Sequence, residues 1–302
     1  MLVNKASIQA AFVALKTLFN NAFASAPTTW DKIAMKVPSS TGSNLYAWLS
    51  AFPRMRRWVG EKHVKNLKAY RYQIENEDFE ATVEVDRNDI DDDQLGIYKP
   101  QAEMAGFSAK QLPDEIIYEL VNGGFSNLCY DGQYFFDVDH PVAGASVSNL
   151  GTKALSTASL ADAKASYGAA RTAMRRLRDE DGRPINVIPT VLLVPPALED
   201  TARALLTVDR LEDGKANIYK GTAELVVEPR LTSDTAWFLL DTSKPVRPFI
   251  YQERKAPVFV QQVDPQAEEV FSRKKFKFGA EARAAGGYGF WQLAYGSTGT
   301  VA

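Results

Sequence analysis

Between Leu67 and Val85 two stretches of strict alternation flank a short polar segment. Tyr70, Tyr72 and Ile74 recur at every second position, Glu75-Asn76-Glu77-Asp78 follows, and then Phe79, Ala81, Val83 and Val85 alternate again. A period of two marks a strand with one apolar face, so two such runs around a polar turn predict a long β-hairpin. A hairpin alone is marginal in water and needs a surface to lie on. Neither of its sequence neighbours supplies one.

Upstream, the chain reads as an arm. Ile8, Phe12, Leu15 and Phe19 fall at helical spacing within Lys5–Ala24, with Asn4 as a cap. Pro27 ends that helix, Ile33, Met35 and Val37 alternate as in a strand, and a loop over Pro38–Ser43 precedes the apolar Leu45–Leu49. Downstream, Asp91-Asp92-Asp93 stands where a helix should begin, since negative charge there complements the helix dipole. Helical pattern runs from Leu95 to Val121, interrupted by Pro100 and Pro113, which predicts a kinked or two-piece helix ending at Gly123-Gly124. Cys129–Phe136 reads as a small hairpin around Asp131-Gly132. After a Gly/Ser/Ala-rich crossover (Pro141–Ala158), Ser159 opens a helix to about Arg178, Val191–Val194 is an apolar strand, and Pro195-Pro196 starts a helix through Leu206. From Ala223 onward strands dominate: Leu225–Val227, Trp237–Leu240, Phe249–Gln252, Val258–Val263 and Phe271–Phe278, with a Gly286-Gly287 turn before Tyr288–Tyr295. The fold class is α+β, and 302 residues suffice for two substructures.

Charge is uneven. Residues 1–70 hold ten lysines and arginines against Asp31 and Glu61, which puts +8 there and, from a total of −2, −10 in the remainder. Around the hairpin, Arg54, Arg56, Arg57, Lys62, Lys65, Lys68 and Arg71 precede the turn. Glu75, Glu77, Asp78, Glu80, Glu84, Asp86, Asp89 and Asp91–Asp93 follow it. Pairing within the hairpin and pairing between copies both remain open.

Catalysis finds little support. No apolar run reaches the length of a membrane span, Met1–Lys5 lacks a signal-peptide pattern, and the single Cys129 leaves no internal disulfide. Asp137-Val138-Asp139-His140 is the best metal-like cluster, but the other histidine, His63, lies far away and short acidic stretches beside a proline are commonly turns. Gly286-Gly287-Tyr288-Gly289 opens no helix, no GxSxG elbow occurs, and Cys129 has no histidine partner in sequence. No enzyme activity and no cofactor are expected.

The order of arm, hairpin, kinked helix, αβ lobe and C-terminal strands resembles the HK97-like phage capsid fold. Local wording narrows this. Tyr46-Ala47-Trp48-Leu49, Arg57-Trp58-Val59-Gly60-Glu61, Asp92-Asp93-Gln94-Leu95-Gly96, Cys129-Tyr130-Asp131-Gly132-Gln133 with Phe135-Phe136, and Gly287-Tyr288-Gly289-Phe290-Trp291-Gln292 are similar to the Mu-like prophage major head subunit family, in order across residues 44 to 295. The resemblance implies an N-terminal arm over 1–59 and an E-loop hairpin over 60–91. A peripheral domain with its spine helix would span 92–144 and 226–302, and an axial domain 145–225. It implies hexamers and pentamers closing an icosahedral shell around non-specifically held double-stranded DNA, formed in the host bacterial cytoplasm without covalent cross-links. A separate scaffold, a portal and decoration proteins are the implied partners, and no membrane is involved. On that reading Leu67, Tyr70, Tyr72, Ile74, Phe79, Val83 and Val85 contact a neighbouring subunit. Arg54, Arg56, Arg57, Lys62, Lys65 and Lys68 either pair with acids such as Asp91, Asp92 and Asp93 across copies or face the packaged DNA, and Ile8, Phe12, Leu15 and Phe19 pack the arm. The rivals are an encapsulin-like compartment shell, a metal-dependent hydrolase using Asp137, Asp139 and His140, and a tail protein.

Overall fold

The computed structural model describes residues 5–50, 72–92, 95–264 and 267–301. In chain order the elements are α1 (Lys5–Ser25), β1 (Ala34–Pro38), β2 (Ser43–Leu45), β3 (Gln73–Glu75), β4 (Glu77–Asp86), α2 (Arg87–Asp91), α3 (Lys99–Gly123), β5 (His140–Val142), β6 (Ala145–Val147), β7 (Leu150–Lys153), α4 (Leu160–Ala163) and α5 (Ala169–Arg176). The second half adds β8 (Val191–Val194), α6 (Glu199–Thr207), β9 (Glu224–Val227), β10 (Trp237–Leu240), β11 (Phe249–Gln262), α7 (Glu268–Arg273), β12 (Lys275–Tyr288) and β13 (Ala294–Val301). Ser159 caps α4 by accepting the Asp162 N–H, and a π-helical turn (Lys164–Gly168) joins α4 to α5.

Two sheets organise the molecule. The first has the order β1-β11-β12-β4, parallel between β1 and β11 and antiparallel elsewhere. The second has the order β7-β13-β10-β8-β9, with β10 antiparallel to both neighbours and the outer pairs parallel. The C-terminal strands divide between them: β11 and β12 enter the first sheet, β10 and β13 the second.

The first sheet is one-sided where β4 pairs with β12. Val85, Phe276 and Phe278 face α1, where Ile8, Phe12 and Leu15 are buried, and the Phe12 ring meets Phe276 and Phe278 edge-on at 6.3 and 6.2 Å. Phe19, one turn on, packs with Ala105 of α3 and Ala280 of β12. Each such burial contributes about 1.5–3 kcal/mol. Helix α1 crosses α3 closely at Gly106, where a Cβ would collide with the Phe19 carbonyl. The other face of the sheet is charged: Lys275 pairs with Asp86 (3.3 Å), Lys277 with Glu84 (3.9 Å) and Arg283 with Asp78 (3.4 Å). Three of the acids after residue 76, Asp78, Glu84 and Asp86, therefore find partners on β12 of their own chain.

Among the described residues the expected hairpin is not formed. β3 pairs with β2, setting Ile74 opposite Asn44, whereas β4 pairs with β12, setting Phe79 opposite Ala282. Between the two strands only Asn76 intervenes, and it cannot turn the chain back. Its N–H donates to the Gly42 carbonyl (2.9 Å) and its side-chain amide donates to Ser39 Oγ and to the Thr41 and Gly42 carbonyls. Alternation reported which face of each strand is buried, but not which strand lies beside it.

Three further differences have local causes. The acids Asp91–Asp93 do not open the long helix: α2 ends at Asp91, and α3 starts at Lys99 with Pro100 in its first turn, where the missing N–H costs no hydrogen bond. Phe271 lies on α7 rather than a strand, because the chain turns at Lys274 (φ 55°) before β12 begins. Gly286-Gly287 makes no turn but sits inside β12, where a Cβ on Gly287 would strike the Ile74 side chain.

Candidate assembly surfaces and a buried polar cluster

Helix α3 is pinned to both sheets by a buried polar network. Asp114 accepts the Thr29 and Trp30 N–H groups (2.9 and 2.7 Å). Tyr118 donates to Thr29 Oγ1 (2.8 Å), which donates to Glu228 (2.9 Å) at the end of β9. Arg230 pairs with Glu228 (2.9 Å) and donates to Gln111 of α3 (3.0 Å). Burial raises the Asp114 carboxyl above its usual range, against the two backbone N–H groups that favour the anion.

Beside this network, α3 and β4 leave a groove. Ala109, Leu112, Ile116, Leu120 and Phe79 make its apolar floor, and it comprises two hollows of about 150 and 350 Å³ that share Phe79. Exposed glutamates rim it: Glu75, Glu77, Glu80, Glu115, Glu119 and Glu281. No lysine or arginine is among the described residues lining either hollow.

The residues expected at subunit contacts are distributed differently from the sequence reading. Ile74 (5% exposed) and Val85 (0%) belong to the chain's own core, and Val83 packs beside Val85. Tyr72 accepts the Tyr288 N–H (2.8 Å), and burial pushes its hydroxyl pKa up to about 12. Phe79 remains partly open, in the groove. Asp92 is exposed at the end of α2. Leu67, Tyr70, Arg54, Arg56, Arg57, Lys62, Lys65, Lys68 and Asp93 lie outside the described residues, as does the side chain of Asp91.

The metal-like run Asp137-Val138-Asp139-His140 does not converge. Asp137 accepts the Tyr134 and Val138 N–H groups (3.2 and 2.7 Å), a turn role. His140 points instead to Asp131, with Nδ1 2.7 Å from Oδ2, and its ring stacks on Trp291 at 3.9 Å. Cys129 Sγ donates to the other Asp131 oxygen (3.0 Å). Among the described residues Cys129, Asp131 and His140 are the cluster whose donor atoms converge, within 4.8 Å of one another. Burial pushes the Cys129 thiol well up and opposes ionisation of Asp131, yet the His140 and Cys129 hydrogen bonds hold the Asp131 carboxyl below its usual range. The tight Asp131-Gly132 turn was legible in the sequence. Asn149 and Trp291, which orient His140, carried no local signal.

Comparison with known proteins places the chain in a family. A family profile described as Mu-like prophage major head subunit gpT matches residues 8–164, 154–231 and 230–302. The chain belongs to the Mu-like prophage major head subunit family. It is 34% identical over 294 residues to the major capsid protein of Escherichia phage Mu, covering 97% of this chain and 74% of that one. Identity to the Mu-like prophage FluMu major head subunit of Haemophilus influenzae is 32% over 294 residues, with the same coverages. The structure also matches a subunit of the procapsid of bacteriophage JBD30 (TM-score 0.62, 32% identity, 98% of this chain and 76% of that chain). At 10% identity, a virus-like particle from Pyrococcus furiosus shares the fold alone (TM-score 0.55, 95% and 98% covered). The chain is thus a capsid shell protein with the HK97-like fold.

Proposed function

We propose that the chain assembles with copies of itself into hexamers and pentamers of a closed icosahedral head around double-stranded DNA, and that the glutamate-rimmed groove between α3 and β4 takes the basic stretch of a neighbouring copy. The groove is the observation that carries this reading. Its floor is apolar, its rim is acidic, and the chain itself provides the complement in Arg54, Arg56, Arg57, Lys62, Lys65 and Lys68. Opposed patches on one chain give heterologous contacts, which close into rings when the rotation allows. Charge sets register and encounter while the apolar floor holds. Individually modest contacts repeated around rings then give a stable particle. The shell is non-catalytic and non-covalent, and it forms in the host cytoplasm on a separate scaffold. A portal and decoration proteins are its further partners, the latter in keeping with a JBD30 capsid described as decorated with minor capsid protein trimers.

Electron microscopy of the purified chain, alone and co-expressed with a scaffold, tests the assembly. Glu115→Lys with Glu119→Lys is expected to abolish rings and shells while leaving circular dichroism unchanged, and Arg56→Glu with Arg57→Glu in the same chain is expected to restore them. Normal shells from the glutamate double variant would refute the groove as the docking surface.

A further inference from the structure

Both ring nitrogens of His140 face a partner. Asn149 Nδ2 donates to the carbonyls of Phe135 (2.8 Å), Trp291 (3.3 Å) and Ala294 (3.3 Å), which turns Asn149 Oδ1 toward His140 Nε2 at 3.2 Å. An amide oxygen only accepts, so this contact favours an N–H on Nε2, beside the Asp137 N–H that the same oxygen takes at 2.9 Å. The other nitrogen, Nδ1, then faces the Asp131 carboxylate at 2.7 Å. Two lone pairs at that spacing repel unless a cation lies between them. Either a second proton or a metal ion meets the requirement.

The surroundings match the metal. Asp131 stands between the two other donors, one oxygen toward His140 Nδ1 and the other 3.0 Å from Cys129 Sγ. Imidazole nitrogen, carboxylate oxygen and thiolate sulfur together are the donor set of zinc-class cations. A ligand histidine whose second N–H is held by a carbonyl oxygen is the usual outer arrangement of such sites. Trp291, stacked on the ring at 3.9 Å, fixes its plane.

We propose that Cys129, Asp131 and His140 bind one thiophilic divalent cation of the zinc class. Charge balances: the thiol proton and the proton shared by His140 and Asp131 leave, and one dication replaces them. Tetrahedral bonds of about 2.0–2.1 Å to nitrogen and oxygen set those atoms roughly 3.3 Å apart, so loading opens the His140–Asp131 pair by about half an ångström. The turn carrying Asp131 can give that movement, because Gly132 (φ 87°) is exposed with open space around it. The bound ion ties this turn to the Asn149 and Trp291 framework, below the second sheet, and adds a fixed point that needs no disulfide.

Titration of the full chain with Co²⁺, monitored in the near ultraviolet, tests this. The expected result is a thiolate-to-cobalt charge-transfer band that saturates at about one ion per chain and is displaced by Zn²⁺. Because Cys129 is the chain's single cysteine, that band assigns its own sulfur, whether or not a Cys129→Ser variant folds. Zn²⁺ should also raise the melting temperature, and a chelator should reverse the rise. Folded wild-type chain that gives no such band, or that binds cobalt without it, overturns the proposal and leaves a proton-bridged network only.

Discussion

The two sheets solve burial in opposite ways. In the second sheet all four residues of β8, Val191-Leu192-Leu193-Val194, and all four of β10, Trp237-Phe238-Leu239-Leu240, are buried, so both faces are covered by the chain itself. In the first sheet β4 and the part of β12 beside it, Lys275 to Arg283, bury the face under α1 and α3 and carry ion pairs on the other. A continuous apolar strand marks a region that is finished within the subunit. A strand that alternates, with a charged outer row, marks a region that can still meet a neighbour. The groove between α3 and β4 lies at the edge of this sheet, on the apolar face under α3, where Phe79 and Ala81 line it.

The sharpest way to break this contrast is a truncation in the second sheet. Leu193→Ala should cost about 2–5 kcal/mol, because a side chain enclosed on both faces leaves a cavity. Urea unfolding of the unassembled subunit would measure it, and a loss below 1 kcal/mol would mean the sheet is less closed than its burial implies. A smaller effect is expected where the sheets meet. Asp114→Ala removes the acceptor of two buried N–H groups and should cost about 1–3 kcal/mol. Asp114→Asn keeps an acceptor without the charge, so it should be neutral or stabilising near pH 7. The sign follows from the raised carboxyl. The folded state binds its proton more readily than the unfolded chain, so this group favours folding as pH falls. Stability that changes equally with pH in wild type and Asp114→Asn would contradict that. The smallest effect belongs to the outer face: Lys275→Ala should change stability by only about 0–1 kcal/mol, since its pair with Asp86 is partly solvated. Asp86 itself, lowered chiefly by the Asn88 N–H that it caps, loses its contribution only on acidification below the ordinary carboxylate range. A Lys275→Ala loss above 2 kcal/mol would show that the charged row is structural rather than spare.

The same contrast explains what the sequence made legible. Ile8, Phe12, Leu15 and Phe19 could be placed on one helix face, and Val191–Val194 in a covered strand, because periodicity reports burial directly. Strand partners were not legible. β4 finds its mate about two hundred residues away in β12, and a local run of polar residues looked like a turn because nothing nearby showed Asn76 bonded to Gly42. The order of elements still led to the correct fold, since it does not depend on which strand pairs with which. Sequence adjacency likewise suggested Asp137 and Asp139 as ligands for His140, whereas folding delivers Asp131 and Cys129 from the preceding turn. Three-dimensional convergence of this kind has no one-dimensional period.

The crossing at Asn76 has a mechanical consequence. Everything between Tyr46 and Tyr72 is rooted at two ends that lie side by side, since the Tyr46 N–H donates to the Tyr72 carbonyl (2.8 Å) just beyond the β2–β3 pairing. Gln252 of β11 clamps that root: it accepts from the Tyr46 hydroxyl (2.7 Å) and donates to the Asn76 side chain (2.7 Å) and the Ile74 carbonyl (3.2 Å). The spacing of those two ends is therefore set by the sheet behind them rather than by the sequence that joins them. Whatever length or charge the joining stretch carries, the two points at which the sheet holds it stay the same from one copy to the next.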